Sequence, residues 1–247
     1  MADKPHAEPE SVLVAGAGGG IADAILSEVA RRWPDAQLLT MSRERELETD
    51  IAHGHCSLEL TEPEAVETAR EFLQEQGAAP SWVVHCCGIL HDDNHGPEKS
   101  LDQCHDDWLL QSMRINVITH LHLAQALAPL LKKRRPLMWA SLSAKVGSIG
   151  DNGLGGWYSY RMSKAALNML VRNLSIEWGR KVDDCCVVAI HPGTTDTALS
   201  RPFQENIKDD RLYSPATSAG RIIDVLGQLT GEKNGKLLFW DGEVLPW

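Results

Sequence analysis

The stretch Tyr160-Arg161-Met162-Ser163-Lys164 has the clearest capacity for proton chemistry in this sequence. Positions i and i+4 of a helix share a face, so the Lys164 ammonium lies near the Tyr160 phenol, favours the phenolate and lowers the phenol's pKa. A tyrosine tuned in this way passes a proton near neutral pH. Tyr158 stands close by, but only Tyr160 has a lysine four residues on. Ser141, Ser143 and Ser148 lie on the strand and loop just before this helix. A second chemical element is Ala15-Gly16-Ala17-Gly18-Gly19-Gly20-Ile21-Ala22, which runs from an apolar strand straight into a helix. There a pyrophosphate sits on the free N–H groups of a helix N-terminus, and glycines let the backbone approach it. A third is Thr40-Met41-Ser42-Arg43, at the end of the second strand, beside the position of an adenosine ribose. An acidic residue would read the 2′-hydroxyl of NAD. Ser42 and Arg43 instead offer a hydroxyl and a guanidinium fork suited to a 2′-phosphate, so NADP(H) is preferred and NAD(H) remains possible.

These groups need a scaffold that brings them to one edge, and the chain alternates short β-rich runs with helical segments, as a parallel α/β sheet does. Strands are expected at Ser11 to Ala15, Gln37 to Met41, His55 to Leu60, Trp82 to Cys87, Leu137 to Ser143, Cys185 to His191 and Lys236 to Trp240. Helices are expected from about Ile21 to Arg32, up to Gln76 behind a Thr61/Glu64 capping box, over one long stretch from Leu101 to Arg134, from Trp157 to Arg180, and from Ser214-Pro215. This is a doubly wound Rossmann-type sheet of about seven parallel strands in a single domain, residues 11–247, behind a disordered polar tail at 1–10. Both the glycine turn and the tyrosine helix then converge at the carboxyl ends of the strands.

Composition excludes several classes. Net charge is −10, and the densest basic run, Lys132 to Arg135, is four residues at a predicted helix end, so nucleic acid and anionic membranes are poor partners. No apolar stretch reaches the roughly 18 residues of a membrane span, and the start MADKPHAEPE has no signal core, which predicts a cytoplasmic protein. The six cysteines lack CxxC spacing; Cys86-Cys87 and Cys185-Cys186 lie in apolar runs and read as small core residues. His53/His55 and His120/His122 are i,i+2 pairs without a third ligand in register, so no metal is expected. His91 and His95, flanking Asp92 and Asp93, read as a polar loop, and Trp139, Trp157 and Trp178 as packing residues, with Trp157 next to the site.

Taken together, the motifs resemble the short-chain dehydrogenase/reductase family over nearly the whole chain. The glycine turn is similar to its TGxxxGxG, with Ala15 and Ala22 in place of the first threonine and last glycine. Glu59-Leu60 sits where the family has an adenine-contacting aspartate. His85-Cys86-Cys87-Gly88 takes the place of NNAG, losing both asparagines and keeping the glycine beside the cofactor. Asn116 matches the mid-helix asparagine that holds a water of the proton relay. Pro192-Gly193-Thr194-Thr195-Asp196-Thr197 resembles the PG-x-x-x-T segment that grips nicotinamide and pyrophosphate. Within the family, SAKVGSIGDNGLGGWYSYRMSKAALN, HPGTTDTALSRPF and WDGEVLPW look most like the C-factor and sniffer-type carbonyl reductase branch.

The resemblance implies an NADP(H)-dependent oxidoreductase that interconverts a carbonyl and an alcohol. It implies Tyr160 as proton donor, Ser143 as the hydroxyl that bonds the oxygen, Lys164 as the group that tunes Tyr160 and holds the nicotinamide ribose, and Asn116 as the link to solvent. Cofactor contacts are implied for Gly16, Gly18, Gly19, Gly20, Ile21, Ser42, Arg43, Glu59, Leu60, Cys87, Gly88, Tyr160, Lys164, Pro192, Gly193, Thr195 and Thr197. The family's serine usually stands closer to the tyrosine than the 17 positions separating Ser143 from Tyr160. Ser143 is preferred because it ends the strand; Ser141 shares its face by alternation, and Ser148 belongs to the loop. The substrate is expected to be a small aldehyde or ketone, held by the loop after the fourth strand, residues 147–157, and residues 199–213, with Leu199, Pro202 and Phe203 as an apolar wall. The two long helices imply a homodimer or homotetramer. The alternatives are a nucleotide-binding redox sensor or signalling protein without turnover and, more remotely, an epimerase or dehydratase, for whose sugar-binding part the chain after Thr197 is short.

Overall fold

The structure is a computed structural model that describes residues 8–44, 51–77, 79–205 and 207–247. In chain order its elements are β1 (Ser11–Ala15), α1 (Gly20–Arg32), β2 (Gln37–Ser42), β3 (Gly54–Ser57), α2 (Ala65–Glu75), β4 (Trp82–His85), α3 (Asp106–Met113), α4 (Thr119–Leu127), β5 (Leu137–Leu142), α5 (Tyr158–Trp178), β6 (Cys185–His191), β7 (Thr194–Thr195), β8 (Leu212–Tyr213), α6 (Pro215–Gly227), β9 (Leu237–Phe239) and β10 (Val244–Leu245). The central strands are buried on both faces, so they read as continuous apolar runs, as strands covered by helices on both sides do.

One sheet of eight strands has the order β10-β9-β6-β5-β4-β1-β2-β3, and β7 pairs with β8 apart from it. Alternation along β1 sends Leu13 and Ala15 to one core with α2, α4 and α5, and Val12 and Val14 to another with α1 and α6. From β1 the chain lays β2 and β3 on one side and β4 onward on the other. A crevice therefore opens at the carboxyl ends of β1 and β4, where such sheets bind ligands.

Four expectations need correction. The sheet has eight strands rather than about seven, and it is not wholly parallel: the chain turns at Gly242 (φ 83°), and β10 returns antiparallel along β9. The long helix is broken into a 3₁₀ turn at Leu101–Gln103, α3, a π-helical turn at Arg114–Ile118, α4 and a 3₁₀ turn at Ala128–Leu130, so Lys132 to Arg135 follow it in a turn. The Thr61/Glu64 capping box does not form. Turns closed by Ala65 N to Glu62 O and Val66 N to Pro63 O delay the helix to Ala65, and the Thr61 hydroxyl donates to Glu62 instead. Of the expected tail, residues 1–7 lie outside the described residues, whereas Glu10 is tied to the sheet, its N–H donating to Ser81 Oγ and its carbonyl accepting from Gln37.

Candidate active site

At the carboxyl end of β1 the chain turns on Gly16 (φ 80°), whose N–H donates to Met41 O at 2.8 Å. A Cβ there would lie 2.9 Å from both the backbone N and the Sγ of Cys87. Gly19 caps α1 in an extended conformation with no side-chain hydrogen bond, which leaves the first N–H groups of the helix for a ligand. These backbone groups open on a cleft of about 580 Å³, lined also by Gly18, Ser42, Arg43, Glu59, Leu60, Cys87 and Gly88. The Arg43 side chain is 75% exposed, with Nε 3.8 Å from Glu59 Oε2. Ser42 Oγ accepts from Glu44 N, and Glu59 Oε1 accepts from Thr61 N. A glycine cradle leading to open N–H groups at the start of α1, and ending beside a hydroxyl and an exposed guanidinium, fits an anionic dinucleotide.

A second cavity, of about 540 Å³, adjoins it and is lined by Ile21, Leu90, Ser143, Ala144, Trp157, Tyr160, Pro192, Gly193, Thr195, Thr197, Leu199 and Phe203, among others. Gly20 stands between the two, its ideal Cβ 3.4 Å from Thr197 Cγ2. Gly193 (φ 78°) has no room for a side chain, since a Cβ would be 2.8 Å from the Tyr213 ring. Leu199, Phe203 and Trp157 supply the apolar wall, and Pro202 is not part of it. Trp157 is held in the left-handed region (φ 52°), and its ring meets those of Tyr160 and Phe203. Its N–H donates to the carbonyl of Glu98, whose buried carboxylate takes the N–H and hydroxyl of Ser159 at the start of α5.

Tyr160 and Lys164 share a face of α5, both buried, with Lys164 Nζ 5.8 Å from the Tyr160 ring centroid. Nζ donates to Leu142 O at 2.9 Å. Burial pushes Lys164 down to about 8 and the Tyr160 phenol above its ordinary value. The expected depression of Tyr160 is therefore absent here: its burial is unopposed while the ammonium faces the Leu142 carbonyl. Asn116 lies in the π turn, a feature common at functional sites. Its amide accepts from Ile89 N and donates to Ile89 O and Ser163 Oγ. An ideal Cβ on Gly88 would be 3.2 Å from Asn116 Oδ1 and 3.4 Å from Lys164 Nζ, so Asn116, Gly88 and Lys164 meet at one point. Ser143 lines the cavity, and its hydroxyl donates to Asn168 Oδ1 at 2.7 Å. Ser141 is buried with Trp139 and His120, and Ser148 accepts from Asp151 N.

Two histidines support the site: His120, which sequence reasoning set aside as half of an i,i+2 pair, and His85, which it read only as the loss of an asparagine. His85 and His120 are fully buried and stacked, with ring centroids 3.6 Å apart. His85 Nδ1 accepts from Cys87 N at 3.4 Å, and His120 Nε2 donates to Cys87 O at 3.4 Å. The two rings thus hold both backbone groups of the residue that packs on Gly16. Burial pushes His85 down to about 3, and His120 well below its usual value, where the nearby His85 and Lys164 act in the same direction. His191, on the wall of the second cavity, is pushed down to about 4 and has a buried Nδ1 without a partner. The available signal was the replacement of two asparagines by His85 and Cys86 where a polar contact is needed.

A family model described as Enoyl-(Acyl carrier protein) reductase matches residues 16–227. The chain is 31% identical over 237 residues to 1-hydroxy-2-glutathionyl-2-methyl-3-butene dehydrogenase of a Rhodococcus species, covering 96% of this chain and 99% of the relative. It is 31% identical over 139 residues to C-signal of Myxococcus xanthus, covering 56% of this chain and 78% of the relative. Among solved structures, NADPH-bound carbonyl reductase from chicken fatty liver superposes with a TM-score of 0.82 at 25% identity, covering 98% of this chain and all of that one. Motif order, sheet topology, the two adjoining cavities and these likenesses agree: the chain belongs to the short-chain dehydrogenase/reductase family of oxidoreductases.

Proposed function

We propose that this protein is an NADP(H)-dependent oxidoreductase that interconverts an aldehyde or ketone and its alcohol, with Tyr160 as the acid/base. The observation that carries the reading is the placement of Tyr160 and Lys164 on one face of α5, with Tyr160 on the wall of an apolar cavity and Lys164 Nζ behind Gly88 of the neighbouring glycine-lined cleft. NADPH bound to a structural neighbour and the dehydrogenase name of the 31% identical relative support it. When bound, the nicotinamide dinucleotide supplies or accepts the hydride. The N–H groups of Gly18, Gly20 and Ile21 hold its pyrophosphate, and Gly16 and Gly19, whose own N–H groups donate to Met41 O and Gly16 O, shape the turn that lets it approach. Ser42 and Arg43 hold the 2′-phosphate, Glu59 and Leu60 flank the adenine, and Cys87 and Gly88 line the floor of the cleft beside Lys164. Pro192, Gly193, Thr195 and Thr197 orient the nicotinamide end. In reduction the Tyr160 hydroxyl gives its proton to the carbonyl oxygen as the carbon receives the hydride. Lys164 stabilises the phenolate left behind and holds the ribose, and Asn116, beside Lys164, connects it toward solvent. The protein works in the cytoplasm, and exposed Leu110 on α3 with Met169 and Ile176 on α5 supports assembly as a homodimer or homotetramer.

Fluorescence titration with NADPH and NADH, followed by absorbance decay with a panel of aldehydes and ketones, tests this. Tighter NADPH binding with turnover is expected. Preference for NADH would remove the role given to Arg43, and tight binding without turnover across the panel would favour a redox sensor.

A further inference from the structure

We infer that the carbonyl oxygen is met by a single side-chain hydroxyl, that of Tyr160, and that Ser143 is a positioning residue that pins α5 to the end of β5 through Asn168. The inference rests on the function proposed above and refines its oxygen site.

Each of the three serines on the strand and loop before α5 has its hydroxyl engaged elsewhere, as do Ser159, with Glu98, and Ser163, with Asn116 and Tyr160 O, on the helix itself. Ser141 Oγ lies 2.8 Å from Trp139 Nε1, a donor only, and 3.0 Å from His120 Nδ1, with no exposed surface. Ser148 accepts from Asp151 N and is outside the cavity wall. For Ser143 the direction of the bond is fixed by its partner. Asn168 Nδ2 donates to Gly147 O at 3.3 Å, so Oδ1 is the atom that faces Ser143, and an amide oxygen only accepts. The one proton of the Ser143 hydroxyl is thus committed to Asn168, 2.7 Å away, and is not available to a substrate oxygen.

One residue further on, Ala144 packs with Leu90 and Tyr160 and lines the cavity. The position beside the phenol therefore presents a methyl group. On the opposite wall, Thr195 is engaged with Ser218, and Ser200 and Thr197 with Thr195 O; Thr194, also on that wall, is on β7 rather than on the β5 end that carries Ala144 beside Tyr160.

What Ser143 does is structural in a directed way. Leu142 O accepts from Lys164 Nζ, and the next residue, Ser143, donates to Asn168, one helical turn after Lys164. Two successive residues of the strand end thus hold two successive turns of α5. Gly147 closes the same seam, since a Cβ there would be 2.7 Å from Lys164 Cβ. The register of Tyr160 and Lys164 against β5 follows from this pair of contacts.

The test uses the full chain with NADPH and the carbonyl compound that the wild type reduces fastest. Absence of wild-type turnover counts against the proposed function, whereas wild-type turnover lets the variants judge this inference. Ser143→Ala is expected to melt at a lower temperature, keep kcat within about tenfold and keep the wild-type pH profile of kcat, and Ser143→Cys carries the same test if Ser143→Ala does not fold. Ala144→Ser adds a donor beside the phenol and is expected to raise kcat about tenfold or more, on the scale of one oxyanion donor. A serine variant with wild-type melting temperature and NADPH affinity but a hundredfold loss in kcat would overturn the inference. So would an Ala144→Ser enzyme no faster than wild type.

Discussion

The two adjoining cavities are built from different materials. The dinucleotide cleft is made mostly of backbone: the glycine turn from Gly16 to Gly20 leads into the open N–H groups at the start of α1, and the cleft closes because Cys87 packs where no Cβ stands on Gly16. The reaction cavity is made of side chains, with Trp157, Phe203, Leu90 and Ala144 around Tyr160. A site made of backbone tolerates change in what surrounds it but not in its own residues, because the glycine conformation itself is the binding group. A site made of side chains depends on which way each one turns, and a shift of one residue along a strand changes what it offers.

The largest break is expected at the reaction cavity. Tyr160→Phe removes the proton donor and should lower turnover by about a hundredfold or more while leaving NADPH affinity unchanged; near-normal turnover would sink the assignment. The matching break on the other side is Gly16→Ala. Its φ of 80° and the 2.9 Å approach to Cys87 predict a loss of dinucleotide affinity beyond about tenfold, seen in fluorescence titration, along with a lower melting temperature. Arg43→Ala sharpens the comparison, because it removes a side chain from the backbone-built cleft. With Arg43 so exposed, the loss should be about tenfold in NADPH affinity, weaker at high salt, with NADH affinity unmoved.

The smallest effect concerns the buried imidazoles under the cleft. His85 titrates near 3 in the folded chain against an ordinary 6.5. The unfolded state therefore binds a proton that the folded state refuses, and stability falls as pH drops from about 6.5 toward 3. The slope is at most about 1.4 kcal/mol per pH unit for each such histidine. His85→Asn should flatten that slope by one proton, as measured by urea midpoints at pH 7 and pH 5. An unchanged slope would mean that the ring is charged or hydrated in the fold.

Which features were legible in the sequence follows from the same division. The glycine turn, the order of strands and the Tyr160–Lys164 pair follow from local spacing, so the parallel sheet and its crevice could be read directly. The return strand β10 is two residues long and depends on a turn at Gly242, which no periodicity announces. The π turn at Asn116 was hidden because a single wide turn shifts the apolar spacing by only one residue within an otherwise α-helical run. The serines were hardest: that Ser143 turns to Asn168 depends on a helix residue 25 positions away and on the orientation of its amide.

The buried carboxylate of Glu98 has an electrical consequence for what the reaction cavity can admit. A helix start ordinarily attracts negative charge through its unsatisfied N–H groups and dipole. In α5 that attraction is already answered from within the chain by Glu98, next to the wall formed by Trp157 and Tyr160. A substrate bearing a carboxylate close to its carbonyl therefore finds the pole of α5 already occupied, and any charge selection at this end of the cavity falls to the side chains of Arg161 and Lys145 on its wall.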